Sequence, residues 1–134
     1  MSIRIGTDIV CIPRITALVD QYGDRFLQKV YTDTEQRVYH QVSAKPPLGR
    51  ETGGIWLAGR WAAKEAVVKA MGTGWDGVRY TDVEIQRRTD GAPQVYFYRS
   101  AAALVASWGA GGQWQLSLSH DGDYAIATAI FYQL

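Results

Sequence analysis

Apolar positions near the start of the chain fall on every second residue: Ile3, Ile5, Thr7 and Ile9 alternate with Arg4, Gly6 and Asp8. A period of two predicts a short half-buried strand, ending near Asp8 or Val10. The period then lengthens to that of a helix through Ile15, Leu18 and Val19, with Pro13 suited to its first turn. Gly23 interrupts this pattern before a short Phe26-Leu27-Val30 segment. Thr32-Asp33-Thr34-Glu35 has the spacing of a capping box and opens another helix through Val38 and Val42. Lys45 to Gly54, with Pro46, Pro47 and three glycines, reads as an exposed loop. A long helix from about Ile55 to Met71 follows, and Gly72-Thr73-Gly74 ends it, because glycine tolerates the left-handed C-cap.

Beyond that point two hairpins are written into the chain. Val83-Glu84-Ile85-Gln86 and Gln94-Val95-Tyr96-Phe97 bracket the turn Asp90-Gly91-Ala92-Pro93. Trp114 to Ser119 and Tyr124 to Tyr132 flank His120-Asp121-Gly122-Asp123, and between the hairpins Ser100 is placed to cap a short alanine-rich helix reaching about Trp108. Strand, several helices, two strands, helix, two strands is the order of an α+β fold: a largely antiparallel sheet packed against a long central helix. No repeat or linker divides residues 1–134, which predicts one domain.

The long helix carries an anomaly. Arg60, Lys64, Glu65 and Lys69 are set into an otherwise apolar segment. At about 100° per residue, Glu65 and Lys69 share a face with Ala58 and Ala62 beside them. Arg60 and Lys64 fall elsewhere, in the arc of Trp56, Leu57, Val67, Val68 and Met71. A solvated surface helix gathers its charges on one side. Charges spread around an apolar helix need partners, so something charged sits against them.

Composition narrows the picture. With 47% hydrophobic and 20% charged residues, the chain has the make-up of a folded protein rather than a disordered one. A net charge of +1 gives no global field for nucleic acid. Residues 1–74 hold ten Lys/Arg against seven Asp/Glu and the remainder four against six, a small basic bias toward an acidic ligand or partner. Cys11 stands alone, which removes an internal disulfide and a thiolate metal site. No apolar run approaches a membrane span, so a cytoplasmic location is expected.

Three polar groups are candidates for chemistry: Asp8 at a strand end, Lys64/Glu65/Lys69 on the long helix, and Ser117-Leu118-Ser119-His120 before a turn. Two carboxylates from distant parts of a chain, with few other ligands, suit Mg²⁺, which takes oxygen donors and shares its coordination with water and substrate phosphates. A lysine one turn away adds charge for those phosphates. Each has a plainer reading. Glu65 and Lys69 form an ordinary helical ion pair, Asp8 caps a turn, His120 bonds to turn backbone, and Gly72-Thr73-Gly74 ends a helix rather than cradling a phosphate. No Walker-type phosphate loop is present.

Taken in order, these segments resemble the holo-acyl-carrier-protein synthase type of the 4′-phosphopantetheinyl transferase family. The resemblance rests on Ile5-Gly6-Thr7-Asp8-Ile9 and on Leu57-Ala58-Gly59-Arg60-Trp61-Ala62-Ala63-Lys64-Glu65-Ala66 with Lys69 and Gly72-Thr73-Gly74. It extends to Asp82-Val83-Glu84-Ile85, Gly91-Ala92-Pro93 and Leu116-Ser117-Leu118-Ser119-His120-Asp121, so it covers nearly the whole chain. Trp61 stands where the family usually has another aromatic, often phenylalanine, and Thr7 where aliphatic residues are common.

The resemblance implies an enzyme in which a serine hydroxyl of apo acyl carrier protein attacks the β-phosphate of coenzyme A, releasing adenosine 3′,5′-bisphosphate, in support of fatty acid biosynthesis. It implies Asp8 and Glu65 as Mg²⁺ ligands and Lys69 as a contact to the pyrophosphate. Arg60 and His120 match positions near the 3′-phosphate, Gly72, Thr73 and Gly74 the loop beside the nucleotide, and Lys64 a cofactor-group lysine without a fixed role. Arg14 and Arg25 match basic positions that meet the acidic carrier. The serine proton goes to Glu65 or to a water on the metal, and the residues do not choose. The family further implies a homotrimer with coenzyme A in clefts between subunits. Two other readings fit the same residues: a different Mg²⁺-dependent transferase of nucleotide or coenzyme A derivatives, and a non-catalytic module that binds carrier protein.

Overall fold

The computed structural model describes residues 1–134. The chain opens with strand β1 (Ser2–Cys11), followed by helices α1 (Ile12–Tyr22), α2 (Asp24–Val30) and α3 (Asp33–Ser43) and the long helix α4 (Gly49–Met71). A 3-10 turn at Tyr80–Asp82 leads into β2 (Val83–Arg87) and β3 (Pro93–Phe97), then α5 (Arg99–Ala106), β4 (Gln113–Asp121) and β5 (Tyr124–Gln133). The second hairpin returns alongside the first strand, giving an antiparallel sheet in the order β1-β5-β4, with β2-β3 a separate hairpin. Register pairs Gly6 with Ala129, Asp8 with Ala127 and Ser117 with Thr128. No helix is long and apolar enough to cross a membrane.

Helix α4 lies across the inner face of this sheet because both surfaces are built from small residues. Ala58, Ala62, Ala66 and Ala70 on the helix, and Ala125, Ala127 and Ala129 on β5, are buried. At Gly6 the approach is backbone to backbone: a Cβ there would collide with the Ala66 carbonyl oxygen and come within 2.7 Å of the Ala70 amide nitrogen. Only glycine permits that contact. Two residues on, the same face of β1 carries Asp8 to the side of α4 that holds Glu65 and Lys69.

Three expectations from the sequence are corrected. Helix α4 begins at Gly49, six residues before the expected start, so the second half of the Lys45–Gly54 segment is helical. Its three glycines are not a loop signal but packing sites: Gly49 and Gly53 lie against the backbone or side chains of Ser43 and Tyr39, and Gly54 against Thr16. Ser100 does not cap α5; that helix starts at Arg99 with Tyr98 as its cap residue and no side-chain capping bond. The third concerns Lys64. It was grouped with the cofactor-binding residues, yet it is fully buried, 2.7 Å from Glu35, with its remaining protons donated to the carbonyls of Tyr80 (2.9 Å) and Val83 (2.6 Å). Its charge is occupied inside the fold.

Glu35 is the counterpart. The capping box expected at Thr32 forms, with Glu35 Oε1 accepting from the Thr32 amide and Thr32 Oγ1 from the Glu35 amide. The same carboxylate also takes Lys64 and the Ile85 amide (2.7 Å), so one side chain ties α3, α4 and β2 together. Burial pushes the Glu35 carboxyl up and the Lys64 ammonium down, each opposed by the other's charge. Breaking a buried pair by removing one partner leaves a charge without compensation. Glu35→Ala should therefore cost about 3–5 kcal/mol in urea unfolding, while Glu35→Leu combined with Lys64→Met should recover most of that loss.

Candidate functional site

The opposite side of α4 assembles a second charged group, and this one reaches solvent. Lys69 turns away from Glu65 and pairs with Asp8: its Nζ donates to Asp8 Oδ1 at 3.1 Å and to the Thr7 carbonyl at 3.0 Å. The simple Glu65–Lys69 helical pair does not form. The Lys69 side chain is 54% exposed and Asp8 17%, so the lysine keeps a proton to offer outward. Desolvation is the largest influence on Asp8 and pushes its carboxyl up; Lys69 opposes it, and the negative charge of Glu65 adds to the rise. The two carboxylates thus feel one another across the β1–α4 contact.

Glu65 is held by aromatic donors. Its Oε1 accepts from Trp61 Nε1 and Tyr80 Oη, each at 3.1 Å, and its Oε2 from Trp75 Nε1 at 3.2 Å. Trp61 sits one turn before Glu65, the spacing at which helical side chains meet. Trp75 and Tyr80 arrive from the segment after the helix, which turns back because Gly72 adopts the left-handed C-cap (φ 81°) with its amide on Lys69 and Val68 carbonyls. The rings support one another: Trp75 and Tyr80 are 4.0 Å apart between centroids, and Trp61 stacks on Phe26 at 5.6 Å. Burial first, then Glu65, pushes the Tyr80 phenol up to about 12, so it stays a hydrogen-bond donor. From the sequence Trp61 is marked only as a departure from the family's usual aromatic, and Trp75 and Tyr80 are not singled out. Only the Trp61–Glu65 spacing offered a signal there.

A groove of about 480 Å³ runs from this centre along α1 and α2. Trp61 and Tyr80 form its inner end, Leu18 and Phe26 its apolar floor, and Arg14, Arg25 and Lys29 its basic rim. The two arginines named from the sequence therefore share one surface with the Glu65 clamp.

Arg60 and His120 come together elsewhere. They line a different cavity of about 350 Å³ with Ser119, Thr52 and Arg87, a second arginine that sequence reasoning missed. The Arg60 guanidinium lies 4.5 Å over the Trp56 ring, buried, and its Nε has no hydrogen-bond partner. Burial, with Arg87 next, pulls it down to about 10. A buried cation beside a second cation is arranged for an anion supplied from outside. Within one chain, then, Lys69 pairs with Asp8 while the charge of Glu65 acts on the same carboxyl, and Arg60 and His120 line a separate cavity. Gly72, Thr73 and Gly74 follow the end of α4 at Met71, with Thr73 Oγ1 donating to the Gly74 carbonyl at 2.8 Å.

Residues 4–129 match the family model described as the 4′-phosphopantetheinyl transferase superfamily. The holo-acyl-carrier-protein synthase of Gloeobacter violaceus is 48% identical over 125 residues, 93% of this chain and 89% of the relative. In fold, the chain is similar to the crystal structure of holo-acyl-carrier-protein synthase from Neisseria meningitidis, with a TM-score of 0.80 at 30% identity over 97% of this chain and 98% of that one. It is also similar to the ACPS–CoA complex of Chronobacterium ammoniagenes, with a TM-score of 0.79 at 27% identity over 100% and 99% of the two chains.

Arg60 offers a direct test of the anion cavity. Arg60→Met removes a buried charge that has no hydrogen-bond or ion-pair partner inside the chain, so folding stability should stay level or rise by about 1 kcal/mol in urea unfolding. Affinity for a phosphate-bearing nucleotide should fall about tenfold or more by calorimetric titration.

Proposed function

The chain belongs to the 4′-phosphopantetheinyl transferase superfamily, and from that premise we propose how its side chains carry 4′-phosphopantetheine from coenzyme A to a serine of apo acyl carrier protein. The reaction forms a serine O–P bond at the β-phosphate and breaks the bond to the departing adenosine 3′,5′-bisphosphate. Such transfers need alignment and neutralised charge more than covalent help. The observation that carries the reading is the Asp8–Lys69 pair across the β1–α4 contact, one helical turn beyond Glu65, whose charge acts on the same Asp8 carboxyl.

Lys69 supplies the positive charge. Asp8 Oδ1 and the Thr7 carbonyl fix its direction, and its outward proton is available to a diphosphate oxygen. Asp8 keeps Oδ2 unengaged by side chains, and Glu65 keeps part of Oε2. This all-oxygen donor set fits Mg²⁺, which binds through one or two carboxylates and takes its other ligands from water and phosphate. When bound, the ion offsets the charge of the diphosphate and leaving group. Gly72 to Gly74 border the nucleotide, and the cation pair Arg60–Arg87 with His120 receives a phosphate in its own cavity. The basic rim of Arg14, Arg25 and Lys29 steers the acidic carrier toward the centre and should weaken with salt.

We further read the assembly as a homotrimer with the cleft shared between copies, each chain forming one transferase domain, residues 1–134, that acts in the cytoplasm in support of fatty acid biosynthesis. The outer face of β1 supports this: Ile3, Ile5 and Ile9 are 60%, 65% and 64% exposed, a patch that a second copy of the chain would cover. The separation of the anion cavity from the Asp8–Glu65 centre fits a site completed by a neighbour.

Three experiments test these statements. Asp8→Asn and Glu65→Ala should each abolish transfer in a folded oligomer, read by intact-mass analysis of apo carrier protein after incubation; full activity in either rejects the metal assignment. Mixing inactive Asp8→Asn with Arg60→Ala at low coenzyme A, where Arg60→Ala alone turns over slowly, should raise activity above that of either variant if neighbours share the cleft, and Ile5→Lys should release monomers on light-scattering chromatography. Mixed oligomers without recovered activity reject the shared cleft.

A further inference from the structure

We propose that Trp61, Trp75 and Tyr80 are positioning residues that restrict Glu65 to a single free oxygen direction and thereby set which divalent ion the centre accepts. The inference rests on the transferase reading above.

Its basis is a count of donors and acceptors. A carboxylate oxygen has two in-plane lone pairs. Oε1 of Glu65 is filled by the indole of Trp61 and the hydroxyl of Tyr80, while Oε2 takes only the indole of Trp75. One lone-pair position therefore remains, and it belongs to Oε2. A glutamate so held offers an ion one oxygen rather than a two-oxygen bite. That distinction separates divalent ions. Mg²⁺ and ions of similar size take single oxygens in near-octahedral geometry, whereas Ca²⁺ accepts six to eight oxygens and gains from bidentate carboxylates.

The donors suit the task. Indole has an N–H and no acceptor, so neither tryptophan can reverse its bond or compete for the cation. The rings leave little room for the carboxylate to turn, since Trp75 packs on Tyr80 at 4.0 Å, Tyr80 faces Trp61 at 5.4 Å, and Trp61 stacks on Phe26. Hydrogen bonds to a metal-ligating carboxylate orient it, and their loss commonly costs ten- to a hundredfold in metal affinity.

The test uses ring-preserving substitutions that delete one donor each: Trp61→Phe, Trp75→Phe and Tyr80→Phe. Mn²⁺ binding, as a probe for Mg²⁺, is measured by the electron paramagnetic resonance of free Mn²⁺ with saturating coenzyme A, against a protein-free control. Ca²⁺ is measured by its competition with Mn²⁺, and thermal unfolding confirms that each variant is folded. The expected result is about a tenfold loss of Mn²⁺ affinity in at least Trp75→Phe and Tyr80→Phe. The ratio of Mn²⁺ to Ca²⁺ affinity should fall most in Trp61→Phe and Tyr80→Phe, where a lone pair on Oε1 is released and a two-oxygen bite becomes possible. A merely structural role for the rings would leave that ratio unmoved. Wild-type affinity and an unchanged ratio in all three folded variants overturn the proposal while leaving the metal assignment intact. Absence of Mn²⁺ binding in the wild-type enzyme, or full binding in Glu65→Ala, overturns both.

Discussion

The contact of β1 with α4 at Gly6 is the constraint on which the rest of the molecule depends. Strand and helix meet there with no side chain between them, the Ala66 carbonyl filling the place where a Cβ would be. Any thicker contact would lift Asp8 away from Lys69 and Glu65. Alanines on both surfaces carry the same thin layer along the helix. The fold is therefore tightest where its charged residues must converge, as expected when the positions of reacting groups come from rigid elements rather than loops.

A second consequence is a division of labour among the four charges of α4. Lys64 is paid for internally by Glu35 and fastens three elements. Glu65 and Lys69 face the opened side, one gripped by aromatic donors and one by Asp8 and the β1 backbone. Arg60 is buried beside Arg87 with an unpartnered Nε. The anomaly of charges around an apolar helix thus has three physical outcomes on one element: compensation within the chain, placement at an opened face, and a buried cation whose Nε has no hydrogen-bond partner.

Much of this was legible from the residues. Period-two alternation located β1, the Thr32–Glu35 spacing gave the capping box, and Gly72 gave the end of α4. Rotation about the helix axis correctly separated Lys64 from Glu65. What escaped was non-local. Gly49, Gly53 and Gly54 read as breakers because propensity cannot register the neighbours Ser43, Tyr39 and Thr16 that require small residues there. Glu35 was fully explained by its cap, so its second bond to a lysine 29 positions later left no trace in spacing. Trp75 and Tyr80 reach Glu65 only after the chain has turned at Gly72, and Arg87 meets Arg60 from the far hairpin.

The Glu35–Lys64 pair has a bearing on how such a chain diversifies. Because losing either partner alone strands a charge in the interior, a lineage can leave this arrangement only through a paired exchange. The two positions should drift in step between descendants, one writing its history into the other, although neither faces a substrate.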